Sequence, residues 1–194
     1  MHTKDFLIRV SIDEQRLQLL ESGRIVMDVA VSTAANGPGE IMHSECTPRG
    51  RHRIRAKIGA GAASNTVFVG RRDTGELYTP ELRQQHPDRD WMLTRILWLS
   101  GMEPGLNRFG ERDSMRRYIY IHGCPDEDPM GIPSSHGCVK MRNTEVIELF
   151  DRVRPAPRSA YRKPNSMSKA RSSTWLAGLF LARIGQHLLQ ESGQ

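Results

Sequence analysis

The sequence predicts a mainly β (α+β) fold with one packed helix. Two observations carry this: short apolar or alternating runs separated by turn residues recur from Phe6 to Ile121, and the only full helical pattern in that body follows Asn143. Phe6–Val10, Arg16–Leu20 and Arg24–Val31, separated by Asp13-Glu14 and Ser22-Gly23, read as a three-stranded meander. The turn-rich Asn36-Gly37-Pro38-Gly39 leads to Thr47-Pro48-Arg49-Gly50, after which Arg51–Ile58 alternates as a strand with one wet face does. Residues 80–91 read as a loop with a short helical turn, and Met92–Leu99 and Tyr118–Ile121 have the composition of buried or half-buried strands. Val146, Ile147, Leu149, Phe150 and Val153 then recur at helical spacing, with Asn143 or Thr144 placed to cap the first turn and Pro155 to close the pattern.

At 194 residues the chain is one domain with room for an appendage. With 38% hydrophobic and 26% charged residues it can bury a core, and no run approaches the roughly 18 consecutive apolar residues of a membrane span. The net charge of +6 is unevenly placed: residues 1–150 carry 20 basic and 20 acidic side chains, whereas 151–194 carry eight basic ones against Asp151 and Glu191. A balanced body argues against nucleic acid as a partner. The expected organisation is therefore a body over 1–153, a basic Pro/Ser-rich linker over 154–173, and an apolar C-terminal helix over 174–194. That helix would dock on the body, pair with a second copy, or lie on an anionic membrane surface. The opening residues lack the apolar core of an export signal, and three cysteines are too few for a disulfide framework, so a reducing, cytoplasmic setting is expected.

The chemistry is concentrated in Tyr120-Ile121-His122-Gly123-Cys124 and Pro133-Ser134-Ser135-His136-Gly137-Cys138-Val139-Lys140-Met141, where two His-Gly-Cys triplets fall close together. A cysteine attacks as its thiolate, so it needs a nearby base or cation, and an imidazole supplies either. Glycine beside cysteine leaves the backbone uncrowded, so that amide N–H groups can approach a developing oxyanion. Three readings stand side by side at this point. Cys138 is a nucleophile, or His122, Cys124, His136 and Cys138 hold a structural zinc, or these are ordinary core residues. A Cys124–Cys138 disulfide is the weakest alternative.

Ile121-His122-Gly123, followed by Ser135-His136-Gly137-Cys138-Val139 with Met141 and Asn143, resembles the signature of the YkuD-like L,D-transpeptidases, bacterial enzymes that remodel peptidoglycan. Thr47-Pro48-Arg49-Gly50 and the opening strands ending in Val31-Ser32-Thr33 are similar to that family's layout, and the resemblance covers about residues 5–153. It implies a YkuD-like β-sandwich needing no cofactor. It also implies a peptidoglycan stem peptide or muropeptide as the partner and an extracytoplasmic site of action, as is usual in the family. Cys138 would attack the carbonyl of the L-centre joined to D-alanine and form a thioester. His122 would be the base, with the Gly123 backbone fixing its tautomer. Gly137 and Cys138 N–H groups would form the oxyanion hole, Ser135 and His136 would shape the pocket, and Lys140 and Arg142 would bind substrate carboxylate.

The same acyl-enzyme implies two outcomes, transfer to an amine or hydrolysis of soluble tetrapeptides as an L,D-carboxypeptidase. A zinc-stabilised or non-catalytic peptidoglycan-binding module is the alternative from another class. Lys140 stands where the family usually has Arg or Asn, and Cys124 where Thr is common. The clustered histidines and the glycine turn also predict a depressed Cys138 pKa. Arg154-Pro155-Ala156-Pro157 does not read as the closing strand the resemblance calls for, so that strand is either missing or replaced by the tail.

Overall fold

A computed structural model describes residues 5–154 and, as backbone, residues 179–183. Among the described residues, ten strands form one continuous sheet in the order β3-β2-β1-β10-β4-β7-β5-β6, with β8 pairing β7 and β9 pairing β8. The expected meander is present as β1 (Phe6–Ser11), β2 (Arg16–Glu21) and β3 (Arg24–Ala30). It is followed by β4 (Gly50–Ile58), a hairpin of β5 (Thr66–Val69) and β6 (Arg72–Leu77), and the short helix α1 (Pro80–Gln85). The long strand β7 (Met92–Gly101), then β8 (Tyr120–Gly123), β9 (Val139–Met141), α2 (Asn143–Arg152) and β10 (Leu179–Arg183) complete the order.

The sheet closes over its own apolar face. Ile8, Val10, Leu17, Leu19 and Met27 from the meander pack with Ile54, Leu97, Leu99, Ile121, Val139 and Met141, and α2 adds Val146, Leu149 and Phe150 to the same buried cluster. Alternation fails at one place in β4. A bulge between Ile54 and Ala56 shifts the register, so that Ile54 pairs with Leu99 and Lys57 with Leu97. Lys57 thereby shares the face of Ile54 and donates from Nζ to the carbonyls of Phe150 and Val153, closing the C-terminal end of α2 where unpaired carbonyls collect.

At the other end of α2, the N-cap is Arg142, whose N–H donates to Glu145 Oε2 at 3.3 Å. Asn143, expected as the cap, is already helical, and its side chain is buried toward β7 and β8 instead.

The expectation of a helix over 174–194 is corrected at Leu179–Arg183, which forms β10, antiparallel to β1 and parallel to β4. A short apolar run fits either state by pattern, and here two strand edges, one on each side, are completed by it. The tail thus supplies the closing strand, and the segment does not provide the continuous helix on which membrane-surface contact or dimerisation was premised. The rest of that segment and the linker from residue 155 lie outside the described residues. Among the described residues, no helix is long and apolar enough to cross a membrane.

Candidate active site

The parallel pairing of β8 with β9 sets the site. Ile121 lies opposite Val139, and His122 opposite Lys140, so Cys138, one residue before β9, arrives beside Tyr120. The Cys138 sulfur accepts from the Tyr120 N–H at 3.4 Å and donates to the Tyr118 carbonyl at 3.5 Å. His122 is two residues along β8 from Tyr120, on the same side of the strand. Its ring is buried, and Nδ1 lies 2.8 Å from the Gly123 carbonyl. A carbonyl only accepts, so Nδ1 carries the proton and Nε2 keeps its lone pair for a proton transfer.

The turn before the cysteine is gripped from several sides. The Ser135 hydroxyl donates to the Cys138 carbonyl at 2.5 Å and accepts from the Gly137 N–H at 3.2 Å. Thr47 Oγ1 donates to the Gly137 carbonyl at 3.0 Å and accepts from the Ala34 N–H at 3.0 Å. Gly137 has φ +120°, and a Cβ there would sit 3.2 Å from both the Cys46 carbonyl oxygen and Ile119 Cδ1, so the position requires glycine. His136 is exposed, with Nδ1 4.0 Å from Asp90 Oδ2.

Burial pushes the Cys138 thiol up to about 12, reinforced by the Asp90 carboxylate, against the Tyr120 N–H, Lys140 and Arg117, which favour the thiolate. The depressed pKa expected from the sequence is therefore corrected: the resting sulfur is a neutral thiol. Burial first, then Lys140, holds the His122 pKa below the usual range, while Asp90, the Gly123 carbonyl and Asp128 pull it up. At rest, thiol and imidazole are therefore both held toward their neutral forms rather than as a standing ion pair.

Lys140 and Arg142 are present at the site but engaged. Lys140 Nζ lies 3.2 Å from Asp128 Oδ2, and that carboxylate also meets Arg83 Nη1 at 2.7 Å. Arg142 donates to the carbonyls of Asp126 at 2.5 Å and Pro125 at 3.4 Å, bracing the loop after β8. The four residues of the zinc alternative do not converge: Cys124 is buried with its thiol 3.3 Å from the Met141 carbonyl, and His136 faces Asp90. Among the described residues no three His, Cys, Asp or Glu side chains are grouped to hold a metal ion. Burial pushes the Cys124 thiol up to about 12 as well, which fits a packing role. All three cysteines are free.

Several site residues carry no sequence signal. Arg117 donates to the carbonyls of Gly39 at 2.9 Å and Cys46 at 2.5 Å, tying the 36–49 loop to the segment that holds the thiol. Arg71 occupies the tip of the β5–β6 hairpin, at φ +69° after Gly70 at φ +54°. Its guanidinium stacks 4.4 Å from the Trp98 ring centroid and 5.1 Å from that of Tyr118, and donates to Tyr120 Oη at 3.1 Å. The hairpin is thus strapped to the two residues that hold the sulfur. Only the Gly70 turn signal could have revealed it.

Residues 5–162 match the family model described as YkuD, the L,D-transpeptidase catalytic domain. Among solved structures the chain is similar to an L,D-transpeptidase from Mycobacterium smegmatis, at 14% identity and a TM-score of 0.47, covering 92% of this chain and 58% of that one. It is also similar to residues 123–326 of an L,D-transpeptidase from Xylanimonas cellulosilytica, at 16% identity and a TM-score of 0.45, covering 89% of this chain and 57% of that one. The chain thus spans less than two thirds of the length of either structure. No curated protein matches it by sequence.

Proposed function

Because the chain belongs to the YkuD family of L,D-transpeptidase catalytic domains, we propose that it cleaves the bond between an L-centre and D-alanine in a peptidoglycan stem tetrapeptide through a Cys138 thioester. The observation that supports this best is the Cys138 thiol held between the Tyr120 N–H and the Tyr118 carbonyl, on the strand pair that carries His122 with its Nδ1 proton committed to Gly123.

The thiol proton passes to His122 Nε2 as sulfur bonds to the substrate carbonyl carbon, whose π electrons move onto oxygen. The Gly137 N–H is occupied by Ser135, so this reading assigns the oxyanion to the Cys138 N–H. Collapse of the intermediate breaks the C–N bond, and the imidazolium returns its proton to the departing D-alanine amine. An incoming amine, once it has lost its ammonium proton to solvent, attacks the thioester carbon and gives a further proton to His122, which passes it to the departing sulfur and restores the thiol. Asp90, whose charge is felt at both His122 and Cys138, favours the approach of a cationic amine. Amine transfer is therefore the leading outcome, and water in place of the amine gives the carboxypeptidase reaction. In this reading Lys140, paired with Asp128, and Arg142, on the Asp126 carbonyl, are the cations offered to a substrate carboxylate.

The test is D-alanine release from a disaccharide tetrapeptide, followed with intact-protein mass spectrometry. The wild type is expected to lose D-alanine and show an acyl adduct, and Cys138→Ala to do neither. Unchanged release by Cys138→Ala overturns the reading. Added D-amino acid should divert product from tripeptide to exchange.

A further inference from the structure

Asn143 lies beneath the end of β8 rather than at the cap of its own helix. Its Oδ1 accepts from Thr94 Oγ1 at 2.5 Å, while its Nδ2 donates to Asn65 Oδ1 at 2.8 Å and to the Cys124 carbonyl at 3.1 Å. The Cys124 carbonyl only accepts, which fixes which end of the amide points to it. Thr94 is held in turn by the Asn65 N–H, which donates to Thr94 Oγ1 at 2.9 Å.

Thr94 is buried at φ +68°, a strained conformation for a β-branched residue that persists only where surrounding contacts enforce it. It lies in the bulge of β7 between the residues paired with Gly123 and His122, namely Leu93 and Ile96. A Cβ on Gly123 would collide with Asn143 Oδ1 and approach the Leu93 carbonyl to 2.7 Å, so the amide packs directly on the Gly123 backbone. Cys124 is pinned through both of its backbone groups: its N–H donates to the Met141 carbonyl at 3.1 Å, and its C=O, one peptide further on, is held by Asn143. The N–H shares its peptide with the Gly123 carbonyl that faces His122 Nδ1, so Asn143 acts on that carbonyl through Cys124 and through its packing on Gly123.

We propose that Asn143, held by Thr94 and Asn65, is a positioning residue that fixes the Gly123 carbonyl and through it the Nδ1–H tautomer of His122. The consequence for catalysis rests on the function proposed above, whereas the tautomer is a property of the resting protein and can be read without turnover.

The experiment uses the full chain with ¹⁵N-labelled imidazoles, the His122 signal being assigned by its loss in His122→Gln. Asn143→Asp keeps shape and acceptor but removes the donor to the Cys124 carbonyl, and Thr94→Val removes the hydroxyl that orients the amide. Both are expected to move His122 from the Nδ1–H form toward a mixture and to lower kcat for D-alanine release by about tenfold to a hundredfold with KM little changed. Thr94→Ser, which keeps the hydroxyl, is expected to retain the wild-type tautomer and rate.

A wild-type tautomer in folded Asn143→Asp and Thr94→Val overturns the proposal whatever the rates do, and failure of both to fold overturns it in favour of a purely structural role. A shifted tautomer with unchanged release supports the positioning role and counts instead against His122 as the base.

Discussion

Cys138 shows how a single side chain is governed by its setting. The proximity of His122 and the glycine turn predicts an acidic thiol, yet withdrawal of the sulfur from water outweighs the Tyr120 N–H, Lys140 and Arg117 together and drives the pKa up to about 12. Iodoacetamide reacts with thiolate, so the rate of Cys138 modification is expected to keep climbing with pH past about 9, beyond an ordinary thiol's value of about 8.5. A rate that levels off near neutrality contradicts this. The neighbourhood of the two motifs was legible, because two His-Gly-Cys triplets separated by a turn-rich loop fall on and beside two strands that pair. The charge state was not, since it depends on burial and on Asp90 and Arg117, which no local pattern connects to the motif. Asn143 was visible as part of the signature but read as a cap, because capping is a local property and its true partners, Thr94 and Asn65, are distant in sequence.

Among the structural elements, the connection over residues 102–119 is joined to β4 by hydrogen bonds at Arg51 and by a buried histidine. His52 is fully buried, with Nδ1 3.1 Å from the Gly50 carbonyl and Nε2 2.8 Å from Ser114 Oγ. Burial lowers its pKa to about 4 against the pull of the Gly50 carbonyl. The unfolded chain, with a histidine pKa of about 6.5, binds the proton more readily between those two values. The neutral buried ring therefore stabilises the fold fully above about pH 6.5, and this contribution, of order 3 kcal/mol, is lost as pH falls toward 4. Urea unfolding at about pH 7 and about pH 4.5 is expected to show a smaller difference for His52→Gln than for the wild type, and equal differences would remove His52 as the cause. Strands whose apolar residues alternate or run together, β1 to β4, β7 and β8, were legible. β6 was not, because Arg72-Asp73-Thr74-Gly75-Glu76-Leu77 is almost wholly exposed and carries no buried face to leave a period. The three-residue β9 is too short to leave one.

For the whole molecule, the two halves of the sheet meet through β10. Among the described residues β1 pairs with β2 and β10, and β4 with β7 and β10, with no direct ladder between β1 and β4. The apolar cluster spans both halves, but the hydrogen-bonded seam is supplied by a segment far along the chain whose apolar residues read as a helix in the sequence, because the strand edges that claim it are remote from it. Ending the chain after Arg154 is expected to expose two strand edges and lower the melting temperature by more than about 5 °C, with aggregation on heating. A truncated chain that melts within about 2 °C of the full one would show the seam to be dispensable.

The Arg71 strap gives the molecule an optical property as well. Trp98 lies under that guanidinium, donates from Nε1 to the Met115 carbonyl at 3.2 Å, and packs on the same small apolar cluster as Cys138. Its indole therefore shares a surface with both the Cys138 sulfur and the hairpin tip. Trp98 is one of three tryptophans in the chain, and a change of intrinsic fluorescence on modification of the Cys138 thiol that is lost in Trp98→Phe is the expected, label-free sign of that shared surface.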